Sequence, residues 1–137
     1  MSTADETDVR AAFLARRNAI EDAYDLMLAY AAQGVAGEGG SGAAGQIRQV
    51  LEQCEAALDG VSRAVADCIE RRGLEPAAPY RAFIDILTRD SQQARAMVQL
   101  VLAQPSIGSA LVDNLNASSH LRALLTDLFL ANEVLKA

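Results

Sequence analysis

The stretch Ile47-Arg-Gln-Val-Leu-Glu-Gln-Cys-Glu-Ala-Ala-Leu-Asp-Gly-Val-Ser-Arg-Ala-Val-Ala-Asp-Cys-Ile69 decides the fold of this chain. At about 100° per residue its apolar side chains form one unbroken stripe along a helix, while Gly60 falls on the opposite face. The residues of this stripe are Ile47, Val50, Leu51, Cys54, Ala57, Leu58, Val61, Val65, Cys68 and Ile69. The pattern predicts a single continuous helix through the whole stretch.

The rest of the chain favours helix as well. Ala and Leu dominate its 137 residues, and only 3 Pro interrupt them, a composition that leaves little for strands. Breaks at 34–42, 73–79 and 104–106 leave four segments of about thirty residues, which suit an antiparallel bundle. The third segment keeps its apolar phase across Asp90-Ser91, so we expect one helix there. We predict an all-α fold in which 1–137 is a single helical-bundle domain and 34–42 is a flexible Gly-rich loop.

The fourth segment does not keep its phase. Carried forward at the helical period, the apolar face that begins at Ile107 would centre on Arg122 and push the following leucines to the other side. The slip coincides with Asn116-Ala-Ser-Ser119, which offers good N-caps and poor helix interior. We therefore expect a split near 116–119, with a short helix over 107–116 and a second over 119–136.

The charge of the chain excludes several classes of partner. Its 18 Asp and Glu outnumber 12 Lys and Arg, and the formal net charge is −6. Such a charge repels phosphate backbones and anionic headgroups, and no basic run longer than a pair of Arg offsets it. No window approaches the roughly 20 apolar residues of a membrane span, and the acidic N-terminus lacks a secretory signal pattern. We expect a cytoplasmic protein that binds neither nucleic acid nor membrane.

No complete catalytic or metal-binding motif is present in the sequence. The chain has one His and no Glu-x-x-His pair, whereas helical bundles that hold metals use several such ligands. It has no Walker loop, no Gly-x-Ser-x-Gly elbow and no Gly-x-Gly-x-x-Gly after a strand. We therefore predict no catalytic residues, no metal and no cofactor, which favours a non-enzymatic function.

Cys54 and Cys68 are fourteen residues apart on the same face of the predicted helix. That spacing corresponds to about 21 Å along the axis, too far for a disulfide bond. Their place in the apolar stripe predicts two small buried core residues. The alternative is a reactive thiol at Cys68, activated by Arg71 and Arg72 in the next helical turn.

Two helices carry apolar residues opposite their core faces. Ile86 and Leu100 on the third segment and Leu130 and Val134 on the last each form a small second strip. Helices that are apolar on two faces are packed between neighbours or joined to another chain. We expect this interaction strip to bind a protein partner or a second copy of the chain. The alternative is that a non-ideal bundle buries both faces internally.

A few polar residues interrupt apolar phases. Arg16 and Arg17 fall on the stripe of the first helix, where they either lie at its edge or make a buried contact with Asp90 or Asp113. In the second case Arg16, Arg17, Tyr24 and Asp90 would form a polar interior layer or the wall of a ligand cavity.

His120 lies in Ser118-Ser119-His120-Leu121-Arg122-Ala123-Leu124. A single His on an acidic helical protein resembles the histidine phosphotransfer domains, four-helix bundles that present one exposed His to a response regulator. The resemblance implies phosphoryl transfer through His120. In this chain Arg122 comes one position earlier than the family's basic residue, and Leu124 occupies the place of its small residue. The simpler interpretation is an exposed His in the first turn of a helix.

Two main functional hypotheses follow, with phosphotransfer through His120 as a remote third. The first is a non-enzymatic protein-interaction module, such as an adaptor, a specialised chaperone or a regulatory subunit, that acts through the strips on the third and last helices. The second is a bundle that holds a small apolar or aromatic ligand in its interior, as a sensor, a carrier or a cofactor-free enzyme. A close-packed interior favours the first hypothesis, and a polar-walled cavity favours the second.

Overall fold

The computed structural model describes residues 3–37 and 43–136. Within these residues the chain forms six helices and no strand, so the all-α prediction is confirmed. Residues 38–42 of the predicted flexible loop lie outside the described ranges. The helices are α1 (Thr3–Ala31), α2 (Ala43–Leu58), α3 (Val61–Arg72), α4 (Ala77–Leu102), α5 (Ser109–Asn116) and α6 (Ser119–Leu135).

Two helices organise the packing. α1 packs against α2, α3 and α5, whereas α4 packs against α6, α2 and α3. α1 and α6 run antiparallel, because Arg10 bonds to the carbonyl of Leu135 and Arg17 bonds to Asn132. One apolar core joins all six helices. Its largest fully buried side chains include Tyr30, Phe13, Ile20, Met27, Ile47, Leu51, Leu87, Ile107, Leu121, Leu124 and Leu128.

The predicted continuous helix through Gly60 was wrong, because α2 ends at Leu58 and α3 begins at Val61. Gly60 has φ 146, a value in the positive region that L side chains rarely adopt. Arg16 of α1 donates to the carbonyls of Ala56 and Ala57, at 3.2 Å each, and so replaces bonds that a continuing helix would make. The apolar stripe continues across the break, because Leu58 before it and Val61 after it are both buried.

The split of the fourth segment is confirmed. α5 ends at Asn116 and α6 begins at Ser119. Ser118 accepts a hydrogen bond from the backbone N–H of His120 at 3.2 Å, the expected role of a serine N-cap. α4 is likewise one helix across Asp90-Ser91, as predicted.

α5 begins two residues later than predicted because the start of the Gly-rich stretch packs against it. Ser109 donates its N–H to the carbonyl of Val35 at 2.9 Å, and its hydroxyl accepts from the N–H of Val35 at 3.0 Å. The same hydroxyl donates to the carbonyl of Tyr30 at 2.7 Å. A Cβ at Gly108 would lie 2.5 Å from the carbonyl oxygen of Ala36, so only glycine allows this close approach.

The end of α6 is fixed by residues from two other helices. Arg10 of α1 and Arg72 of α3 both donate to the carbonyl oxygen of Leu135, each at 2.7 Å. Cations at a helix C-terminus are favourable because the last carbonyls carry partial negative charge. α3 itself ends at Gly73, which has φ 58 and the left-handed conformation usual for a C-terminal glycine. These contacts place the last turns of α6 beside the end of α3.

Candidate interaction site

The structure exposes all four residues of the predicted interaction strip. The exposed fraction is 47% for Ile86, 61% for Leu100, 54% for Leu130 and 46% for Val134. Leu130 and Val134 line the same groove at the end of α6. Phe83 of α4 also lines this groove. Ile86 does not line it, but lies one helical turn after Phe83. Leu100 is about 21 Å farther along α4 than Ile86, so it lies apart from the other three.

An apolar groove of about 260 Å³ forms where the end of α3, the start of α4 and the end of α6 meet. Pro79 fits the first turn of α4, where its missing N–H leaves no helical bond unmade. No residue of this lining carries a charge, so the surface is suited to apolar side chains. The residues that line it are Val65, Ile69, Pro79, Tyr80, Phe83, Leu130, Ala131, Val134 and Leu135.

A second cleft, the acidic cleft, adjoins the apolar groove between α3 and α4. Its volume is about 470 Å³, and it shares Ile69 and Tyr80 with the groove. The charged residues in its wall are three acids and one base: Glu70, Glu75, Asp85 and Arg81. The apolar groove therefore opens beside a region of net negative charge.

Phe129, an aromatic side chain on α6 that is 56% exposed, was not among the residues predicted from the sequence. A signal for it is present in Leu128-Phe129-Leu130. Successive residues of a helix point about 100° apart, so three large apolar neighbours cannot all face one core. Leu28 on α1, which is 46% exposed, is a second residue that the sequence analysis did not identify.

Arg16 and Arg17, two residues of the predicted ligand wall, contact groups other than Asp90 and Asp113. Arg16 caps the end of α2 through backbone carbonyls. Arg17 bonds to Asn132 of α6 and forms an ion pair with Glu21 one turn along α1, at 3.1 Å. Within the described residues neither arginine pairs with Asp90 or Asp113.

Tyr24 and Asp90, the other two residues of that wall, lie in separate places. Tyr24 lines a cleft of about 330 Å³ between α1, α5 and the start of α6, together with Asp113 and Arg122. Asp90 of α4 lies beside Asp127 of α6, a residue that the sequence analysis did not single out. The structure therefore distributes the four residues over different parts of the bundle.

Asp127 is a buried acid at the contact between α4 and α6. It is only 7% exposed, and its Oδ2 atom has no hydrogen-bond partner among the described residues. Burial raises the pKa of Asp127 to about 7, and the neighbouring Asp90 contributes through a hydrogen bond and through charge repulsion. Asp127 is one turn before Leu130 on α6, so this acid pair lies close to the apolar groove.

Cys54 and Cys68 are both free and buried. Burial, followed by the charge of Glu55, raises the pKa of Cys54 to about 12. Burial also raises the pKa of Cys68, against the opposing effect of Arg10 and the smaller effect of Arg72. The Cys68 thiol donates to the carbonyl of Val9 at 3.4 Å. These surroundings favour the neutral thiol, which is not the nucleophilic form.

His120 is exposed in the first turn of α6. Its Nδ1 atom lies 3.3 Å from the side-chain oxygen of Gln93 on α4. The basic residue nearest in sequence, Arg122, lines the cleft that also contains Tyr24.

The clefts described in the structure open at the surface. The fourth cleft, of about 240 Å³, lies between the first half of α1 and the ends of α3 and α6 and contains Arg10, Arg72 and Asn132. Each of the four clefts has exposed residues in its wall. Within 3–37 and 43–136 there is no group of three or more His, Cys, Asp or Glu placed to hold a metal ion.

Comparison with known proteins finds no family model, no curated protein and no solved structure that matches this chain. In the part of the chain that the structure describes, none of the helices combines the length and apolar character needed to cross a bilayer.

Proposed function

We propose that this protein is a non-enzymatic interaction module whose apolar groove binds an amphipathic helix of a partner protein. The observation that carries the proposal is the meeting of exposed Leu130 and Val134 with Tyr80 and Phe83 in one uncharged groove. Grooves between helices commonly bind a partner helix through apolar residues spaced at i, i+3, i+4 and i+7.

The charge around the groove specifies the chemistry of the partner helix. Glu70, Glu75 and Asp85 of the acidic cleft outnumber its single basic residue, Arg81. A helix that carries Lys or Arg beside its apolar face would place those residues over the acidic cleft. Complementary charge also raises the association rate and disfavours acidic competitors. The expected partner segment is therefore basic and amphipathic.

The test uses a synthetic Leu/Lys amphipathic helix as the probe and measures its affinity by fluorescence anisotropy. A matched peptide with Glu in place of Lys reports the contribution of charge. We expect the Leu/Lys peptide to bind, and we expect Leu130→Glu with Val134→Glu to weaken binding at least tenfold, since two apolar contacts are lost. Glu75→Lys with Asp85→Lys should weaken it as well.

Leu100→Glu is the matched control, because Leu100 is also an exposed leucine but lies outside the groove. Circular dichroism checks that each variant keeps its helices. Equal weakening by Leu100→Glu, or equal binding of the Leu/Glu peptide, would contradict the proposal. The same variants then apply to native partners, whose capture must depend on the groove residues and not on Leu100.

A further inference from the structure

The outer surface of α6 carries a second set of exposed residues that does not belong to the apolar groove. Arg122, Thr126, Phe129 and Glu133 are all exposed and follow one another at i, i+4, i+7 and i+11. Residues at this spacing lie along one side of a helix. We call them the α6 outer stripe. It is centred roughly 90° around the helix from Leu130 and Val134, so it lies on a different side of α6 from the groove.

The α6 outer stripe is symmetric about its midpoint and has opposite charges at its two ends. Arg122 and Glu133 are equally far from the point between Asp127 and Leu128, and Thr126 and Phe129 are as well. An antiparallel helix related by a two-fold axis through this point would place each Arg122 opposite the Glu133 of the other helix. A parallel arrangement would instead place like charges together.

We infer that a second copy of this chain docks on the α6 outer stripe to form an antiparallel, two-fold symmetric dimer. The two ends of the contact would be Arg122–Glu133 pairs, and the centre would bury the Phe129 of each copy against Thr126 of the other. Large exposed aromatic side chains are typical centres of protein interfaces. A two-fold interface must be self-complementary, and this stripe meets that condition.

The local contacts of the charged residues are compatible with this arrangement. Within residues 3–37 and 43–136, Glu133 pairs only with Lys136 of its own helix, at 2.9 Å, and both side chains are more than half exposed. Such exposed pairs are weak and exchange readily. Arg122 is exposed and lines the cleft that contains Tyr24 and Asp113, but it forms no ion pair within residues 3–37 and 43–136, so its guanidinium can pair with a second copy.

The dimer would leave both apolar grooves open, because they lie on another side of α6. Two grooves in one assembly would bind a partner with two target segments more tightly than a single groove does. A contact between one helix of each copy is smaller than the roughly 1,600 Å² of a standard interface. We therefore expect a dimer that dissociates in the micromolar range.

Sedimentation equilibrium of the wild-type chain from about 10 µM to 1 mM tests the inference directly. We expect the mass to rise from that of a monomer to that of a dimer. Phe129→Glu should abolish dimerisation, whereas Leu100→Glu should not affect it. A wild-type chain that stays monomeric over the whole range, or a Phe129→Glu variant that dimerises normally, would overturn the inference.

A charge swap tests the antiparallel register without touching the apolar centre. Arg122→Glu alone and Glu133→Arg alone should each weaken the dimer about tenfold, since two attractive pairs become repulsive. The double variant Arg122→Glu with Glu133→Arg should restore the affinity to within about threefold of the wild type. A parallel dimer would show no such loss and rescue, which would overturn the antiparallel inference.

These measurements are independent of peptide binding. The groove variants Leu130→Glu and Val134→Glu test the proposed function, whereas the charge swap tests only the dimer. If the wild-type chain does not bind the Leu/Lys peptide but the charge swap restores dimerisation, the groove alone is refuted. The opposite result would refute the dimer alone.

Discussion

The pair α2–α3 and the pair α5–α6 are each interrupted by a short break, but the two breaks differ in kind. At Asp59-Gly60 the apolar stripe keeps its phase, and a positive φ at glycine bends the chain. At 117–118 the phase slips and a serine caps the new helix. After the first break the chain continues into core residues such as Val61, whereas α6 exposes Phe129, Leu130 and Val134.

This difference separates structural roles from candidate functional ones. Most apolar residues of the α2–α3 pair are buried in the core, which stability alone explains. The α6 helix carries exposed apolar residues and a buried acid, Asp127, and neither feature improves stability. Substitutions around the two breaks should therefore have different consequences.

The largest effect is expected from Val61→Asp at the start of α3. Val61 is fully buried, and an unpaired charge there costs several kcal/mol against a typical total stability of about 5 to 15 kcal/mol. We expect loss of cooperative thermal unfolding by circular dichroism. Ser62→Asp, one position later and partly exposed, should unfold normally. A Val61→Asp variant that melts like the wild type would show that α3 does not pack as described.

The next largest effect is expected at Asp127 and depends on pH. Its pKa is raised in the folded chain, so its contribution to stability is complete below the unfolded pKa and is lost as pH rises towards about 7. Asp127→Asn should therefore stabilise the protein by on the order of 2 to 4 kcal/mol at pH 8 and very little at pH 4.

Urea unfolding at the two pH values measures this difference. The matched control is Asp113→Asn, because Asp113 is exposed. A gain in stability that is the same at pH 4 and pH 8 would refute the role of ionisation at Asp127.

A smaller effect is expected at the first break from Arg16→Ala. The substitution removes the donor to the carbonyls of Ala56 and Ala57 and should lower the free energy of unfolding by about 1 to 2 kcal/mol. Arg63→Ala is the control, because the Arg63 side chain is 85% exposed. If both variants unfold at the same urea concentration, Arg16 does not stabilise the end of α2.

The smallest effect is expected at the second break from Ser118→Ala. Loss of the N-cap should cost about 0.5 to 1 kcal/mol, which urea unfolding resolves when compared with Ser119→Ala. A larger cost at Ser119 than at Ser118 would place the start of α6 one residue later.

Local signals explain which parts of the fold were predictable. The 3.6-residue period identified helices throughout, and the phase slip with Asn116-Ala-Ser-Ser119 located the start of α6. Both signals depend on residues within a few turns of one another. The apolar phase did not slip at Gly60, and Arg16, which caps the end of α2 there, lies 40 and 41 residues from the carbonyls that it binds.

The candidate site was predictable only in part for the same reason. The sequence by itself determined that Leu130 and Val134 point away from the core face of their helix, since helical geometry fixes the relative direction of side chains. Only the tertiary structure decided that they meet Tyr80 and Phe83 in a groove, and that Asp90 meets Asp127. Periodicity specifies which residues share a face of one helix, but the pairing of faces between helices depends on how the whole core packs.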